Sequence, residues 1–150
     1  MIELTMFYRL IATFFYIGYC PLAPGTGASI CVMVIIWILN PSNLSVIILF
    51  LTTFILGVIS SERIEKKEGK SDPNFVVIDE VTGYLAALIF IPIEPINLFL
   101  ALILFRFFDI VKPPPIRQIE GKLKGGIGIM IDDIIAGVFA NLLIRVFLML

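Results

Sequence analysis

Five of the 12 acidic residues in this 150-residue chain stand where polar sequence gives way to apolar sequence. Asp79 and Glu80 open VIDEVTGYLAAL, Asp132 and Asp133 open IMIDDIIAGVFA, and Asp109 closes FRFFD. Carboxylates beside apolar segments are costly and are usually paired or functional. A single pair at a helix start is explained by capping and the helix dipole, whereas two pairs and Asp109 together exceed that need. Carboxylates without histidine suit a hard cation, and Mg²⁺ prefers oxygen ligands while keeping waters and phosphate oxygens in its shell. The chain contains no histidine, which excludes imidazole bases, histidine metal ligands, Ser-His-Asp triads and phosphohistidine intermediates. Cys20 and Cys31 have neither disulfide-framework nor metal-ligand spacing.

Groups suited to phosphate accompany the acids. Gly25-Thr26-Gly27 in PLAPGTGAS leads into a helix start, where backbone N–H groups and the dipole favour an anion. Lys124-Gly125-Gly126-Ile127-Gly128 repeats the idea before Asp132, and neither segment is a Walker sequence. Arg106, Asp109 and Lys112 recur every three residues, which predicts one shared helix face, with Pro113-Pro114-Pro115 stopping that helix. An intrahelical Arg106–Asp109 ion pair explains part of the pattern equally well. The two acidic pairs resemble each other, because Asp79 precedes Gly83 and Asp133 precedes Gly137 by one helical turn. A small residue there allows close approach of another helix. Thr26, not Arg, stands six positions after Cys20, and no Asp-x-Asp motif occurs, so metal-assisted attack by water is the phosphoryl chemistry left. Glu62, Glu65, Glu68 and Asp72, interleaved with lysines, read as solvated loop surface.

These residues must be positioned by a chain that is 59% apolar and 15% charged, with mean hydropathy +1.05. A soluble domain runs near ~45–50% apolar and ~25% charged, so the expected solvent is lipid rather than water. The balance of 11 basic against 12 acidic residues, net −1, argues against a nucleic-acid partner. Apolar stretches cover Phe7–Tyr19, Ala28–Leu39, Leu44–Ile59, Val81–Ile93, Ile96–Phe105 and Ile134–Leu150. They show no period-2 alternation, so helices are expected. Each is shorter than the ~20 residues of a full span, which predicts extension into the polar flanks; the competing reading is a very apolar soluble bundle. Polar loops are expected at Ser61–Pro73 and Ile110–Gly128, and these carry eight of the 11 basic residues. By the positive-inside rule both loops face the cytoplasm, and counting crossings places PLAPGTGAS there too. The predicted fold is one all-α domain over residues 1–150, a polytopic membrane bundle. It has about five short transmembrane helices, six if the first stretch crosses rather than lying at the interface, with polar, glycine-rich cytoplasmic loops.

Taken together, PLAPGTGAS, VVIDEVTGYLAA, FRFFDIVKPPPI and GGIGIMIDDIIAG resemble, in order, the signature blocks of the phosphatidylglycerophosphatase A family. The resemblance implies a magnesium-dependent, all-helical enzyme of the bacterial inner membrane, and the placing of the loops puts its active site on the cytoplasmic side. It would hydrolyse the terminal phosphomonoester of phosphatidylglycerophosphate to phosphatidylglycerol in phospholipid biosynthesis. It makes Asp79, Glu80, Asp109, Asp132 and Asp133 the catalytic and Mg²⁺-site candidates. Gly25, Thr26, Gly27, Arg106, Lys112 and Lys124 become candidates for binding the substrate phosphate. A small ion or proton carrier using the boundary carboxylates, and a lipid phosphotransferase, are the alternatives.

Overall fold

A computed structural model describes residues 2–119 and 122–149, and Met1, Glu120, Gly121 and Leu150 lie outside it. Among the described residues there are seven α-helices and no strand. They are α1 (Ile2–Ala12), α2 (Pro24–Leu39), α3 (Asn43–Glu68), α4 (Ile78–Leu88), α5 (Pro95–Val111), α6 (Ile116–Ile119) and α7 (Gly125–Met149), with a 3₁₀ turn at Ile17–Tyr19.

Local sequence sets most of these limits. Pro24 and Pro95 begin α2 and α5, where the missing N–H costs nothing. Ser42 caps α3 by accepting from the Ser45 N–H at 3.3 Å, and left-handed Gly69 ends it. Lys112, itself left-handed, ends α5 directly before the three prolines.

The expected loop at Ser61–Pro73 is mostly helix, because α3 continues through SERIEKKE to Glu68. Glu, Lys and Arg are good helix formers, and Lys66 pairs with Glu62 one turn away at 2.5 Å. The expected stretch Phe7–Tyr19 is instead broken. Thr13 donates to the Arg9 carbonyl at 2.8 Å, and Phe14, Phe15 and Tyr16 all take positive φ. Helix α1 consequently lies beside the charged end of α3: Arg9 pairs with Glu68, and the Arg63 guanidinium sits 5.5 Å from the Tyr8 ring. The expected connection Ile110–Gly128 also yields structure, since α6 lies inside it and α7 begins at Gly125.

Helix α4 is the centre of the bundle. Every residue from Ile78 to Leu88 is buried except Glu80, which is half-buried, as expected of a helix packed on all sides. It packs against α2, α3, α5 and α7. Helices α4 and α7 run parallel. A Cβ on Gly137 would fall 2.1 Å from the Gly83 carbonyl oxygen, and one on Gly83 would fall 2.6 Å from that of Asp133. Further along, Asn141 Nδ2 donates to the carbonyls of Ala87 (2.9 Å) and Ile89 (2.8 Å), closing the end of α4. Helix α3 runs antiparallel to α7, with Gly126 against the Val58 carbonyl and Gly57 against Met130.

The outside of the bundle is apolar. Trp37, Ile38, Leu44, Ile55, Phe99 and Phe107 are each more than half exposed, and a continuous apolar exterior marks contact with lipid or another protein. Two helices, α3 and α7, are long and apolar enough to cross a membrane; α2, at 16 residues, is a shorter apolar helix. Five or six full-length spans are thus not what helix length gives.

Candidate active site

The first turns of α2, α4 and α7 and the last turns of α3 and α5 lie at one end of the bundle, so residues far apart in sequence meet there. Asp79 and Glu80 occupy the first turn of α4, and Asp133 faces them from α7. One carboxylate oxygen from each lies within 4.8 Å of the others. The Gly83–Gly137 contact one turn away holds the two helices close enough for these carboxylates to meet. Asp79 is 8% exposed and Asp133 4%, and Asp79 Oδ1, Glu80 Oε2 and Asp133 Oδ2 are buried without a hydrogen-bond partner. Buried polar atoms are normally partnered, and converging carboxylates repel one another. A hard cation answers both problems, so the residues present fit one: three oxygen donors, no sulfur and no nitrogen.

The remaining two acids are neutralised by the protein's own cations. Arg106 Nη1 lies 2.6 Å from Asp109 Oδ2 and 3.9 Å from Glu80 Oε1. Arg106 Nε is buried without a hydrogen-bond partner, whereas Nη1 is engaged by the Asp109 ion pair. Lys112 Nζ bonds Asp132 Oδ2 at 2.7 Å. The predicted shared face of Arg106, Asp109 and Lys112 therefore holds only for the first two. The left-handed turn at Lys112 takes its side chain off α5 and onto α7.

Asp132 is likewise outside the three-carboxylate group, because consecutive residues on a helix point in different directions. It lines a cavity of about 520 Å³ with Glu65, Ser71, Asp72, Lys124 and Gly125. Lys124 thus sits on the Asp132 side. Gly125 and Gly126 serve helix packing, with positive φ at the first and contact with α3 at the second.

The Gly25 segment reaches the acids directly. A Cβ on Gly25 would fall 1.9 Å from Glu80 Oε1, so a side chain here would displace that carboxylate from the start of α2. Thr26 is half-buried beside it, and Gly27 approaches Ile17. Glu80 Oε1 is therefore the shared neighbour of the α2 N-terminus and of Arg106.

Two residues at this end were read as solvated loop from sequence. Glu65 is on α3, lines the cavity, and has its Oε2 buried without a partner. Asp72 lines the same cavity and is among the charges acting on Asp79. Only a correct end point for α3 would have revealed Glu65, seven residues along the same helix from the Val58 contact.

Comparison with known proteins places the chain in a family. The sequence profile of phosphatidylglycerophosphatase A matches residues 10–148. The chain belongs to the phosphatidylglycerophosphatase A family. It is accordingly an enzyme, a phosphatase. It is 35% identical over 139 residues to phosphatidylglycerophosphatase A of Haemophilus influenzae, covering 91% of this chain and 85% of the relative. Identity to the Escherichia coli protein of that name is 33% over 136 residues, covering 89% and 78%. A Bacteroides thetaiotaomicron protein is 38% identical over 147 residues, 91% of each chain; its name carries a provisional assignment as a phosphatidylinositol-3-phosphatase. No solved structure matches the chain.

Proposed function

We propose that this protein hydrolyses the terminal phosphomonoester of phosphatidylglycerophosphate, giving phosphatidylglycerol and inorganic phosphate, in the phospholipid biosynthesis of a bacterial inner membrane. Helices α2, α3, α4, α5 and α7 pass through the membrane in alternating directions, with the site at the cytoplasmic face. Supporting this orientation, Arg63, Lys66, Lys67, Lys112 and Lys124 all lie at the site's end of the bundle. The short α4 places its acids at headgroup depth, where a phosphate carried on a lipid is found.

One observation carries the reading. Unpartnered carboxylate oxygens of Asp79, Glu80 and Asp133 converge, and the Arg106 guanidinium, with its Nε buried and unpartnered, lies 3.9 Å from Glu80. Orphan acceptors beside an orphan donor are the complement of a cation next to a phosphate. Asp79, Glu80 and Asp133 would hold Mg²⁺, which supplies positive charge against the phosphate and makes water more acidic. Arg106 binds the phosphate oxygens through the guanidinium N–H groups that Asp109 does not engage, its buried Nε among them. Asp109, 2.6 Å from Nη1, keeps the guanidinium in place. Backbone N–H groups of Gly25, Thr26 and Gly27 add the positive end of α2. Lys112, oriented by Asp132, and Lys124 attract the anionic headgroup into the cavity. A carboxylate of the group takes the proton from the attacking water, and the alkoxide of the leaving glycerol is protonated from solvent.

Phosphate release in detergent from phosphatidylglycerophosphate, with and without Mg²⁺, tests this for wild type, Asp133→Asn and Asp132→Asn. Release should need the cation, vanish in Asp133→Asn and fall in Asp132→Asn. Activity indifferent to all three changes would discard the mechanism. A parallel assay with phosphatidylinositol 3-phosphate decides between the two substrates named among the relatives.

A further inference from the structure

The same two helices that meet the phosphate also enclose a recess in the apolar exterior. A groove of about 190 Å³ lies between α2 and α5, lined by Met33, Val34, Trp37, Pro95, Leu98 and Phe99. Helix α2 starts at the site and α5 ends there, so the groove lies further along both. Gly25 to Met33 and Trp37 is about 12 and 18 Å of helix, and Arg106 back to Phe99 and Pro95 is about 10 and 16 Å. One leaflet fills half of the ~30 Å hydrocarbon core, about 15 Å. For a lipid whose headgroup is at the site, the groove therefore runs from the lower part of the acyl chains to about the bilayer midplane.

We infer that the α2–α5 groove receives an acyl chain of the substrate lipid, and this rests on the function proposed above. The phosphate-facing groups, Gly25 to Gly27 and Arg106, stand on α2 and α5. A lipid phosphate bridging them hangs its body over the seam between these helices. The groove offers that seam a lining of aliphatic and aromatic side chains. Trp37 and Phe99 are 58% and 55% exposed, so a chain can enter sideways from the bilayer. A second apolar furrow, of about 280 Å³, runs between α5 and α7 past Phe108, Phe139, Leu142 and Val146. Its α5 wall also carries Arg106, but its α7 wall leads to Asp133, proposed as a cation ligand, whereas both walls of the α2–α5 groove carry phosphate contacts, which is why that seam is assigned.

Trp37 is the single tryptophan of the chain, so bromine quenching reads this groove alone. The probe is a phosphonate analogue of phosphatidylglycerophosphate, not hydrolysable at its terminal group, with bromines mid-way along its acyl chains. Brominated phosphatidylglycerol is the control for ordinary bilayer lipid. With protein in nanodiscs and Mg²⁺ present, the phosphonate should quench Trp37 at a roughly tenfold lower mole fraction than the control. Excess unbrominated phosphonate should restore the emission. A Trp37→Phe/Leu142→Trp protein, reporting from the other furrow, should be quenched equally by both lipids. Equal quenching of Trp37 by both, or selective quenching of the Leu142→Trp reporter, overturns the inference. Phosphate release is measured on the same preparation. Release with no selectivity at Trp37 defeats the acyl groove and leaves the proposed function standing, whereas absence of release defeats both.

Discussion

An alanine at position 137 would bring a methyl group 2.1 Å from the Gly83 carbonyl oxygen and 3.0 Å from the Ala86 Cβ. Neither neighbour is the end of a flexible side chain. Ordinary contact begins at 3.4 Å, so against the present 2.1 Å the two helices must part by about 1.3 Å. Overpacking of this kind costs about 1–3 kcal/mol, which an intact bundle can absorb. The site is less tolerant. Asp133 and Asp79 stand one turn from the contact on opposing helices, so the separation passes nearly undiminished to their carboxylates. Metal–ligand distances are held to about ±0.2 Å, and a misplacement of 1 Å near a reaction costs on the order of 10²-fold. Gly137→Ala should therefore keep its helical circular dichroism while Mn²⁺ or Mg²⁺ binding, followed by calorimetry, weakens more than tenfold. Phosphate release should fall by roughly 10²-fold. Unchanged cation affinity together with an unchanged rate would refute the claim that this glycine contact sets the carboxylate spacing.

Other expectations follow from the division of the acids. Arg106→Lys keeps the charge but loses the paired donors, and should raise KM for the lipid roughly tenfold or more with cation affinity unchanged; both are read by initial rates and calorimetry. Glu65→Gln removes a negative charge from the wall of the Asp132 cavity and should lower KM for the anionic lipid roughly threefold, where a solvated surface glutamate would show no change. Asn141→Ala leaves buried α4 carbonyls short of a donor and should cost about 1–2 kcal/mol, seen as a lower Tm with the cation-binding constant preserved. A cysteine introduced by Glu68→Cys, with Cys20 and Cys31 replaced by serine, should resist membrane-impermeant maleimide in intact cells and react in opened ones; labelling in intact cells would invert the orientation.

What the sequence disclosed was whatever depends on spacing within one helix. The four-residue interval from acid to glycine, seen at Asp79–Gly83 and Asp133–Gly137, is a property of one face, and the two faces do meet. The stop of α5 just before the three prolines is equally local. What escaped depends on rotation about helix axes and on where helices end. Whether an acid joins the cluster or pairs with a cation is decided by which side of α7 it occupies, and Asp132 and Asp133 differ only in that. Lys112 left its expected face because α5 stops one residue before it. Glu65 was hidden because a charged sequence reads as loop, although its residues favour helix. The break after Ala12 rests on three consecutive aromatic residues at positive φ, which residue preferences do not announce.

The alternation of helix direction has an electrostatic consequence that ties the fold to its chemistry. Helices α2, α4 and α7 begin at the site, so three positive dipole ends point toward the carboxylates and the substrate phosphate. Helices α3 and α5 end there, and their negative ends are met by Lys66 and Lys67 on one and by Lys112 at the cap of the other. The far end of α4 is closed by Asn141 and by Arg145, whose Nη2 donates to the Ile89 carbonyl at 3.0 Å. A bundle with the opposite sense would direct negative dipole ends at three acids and a phosphate dianion, adding repulsion where charge is already concentrated. The orientation that places the acids at helix starts thus lets a site so rich in negative charge remain buried, and it is why the acidic pairs follow the polar loops rather than precede them.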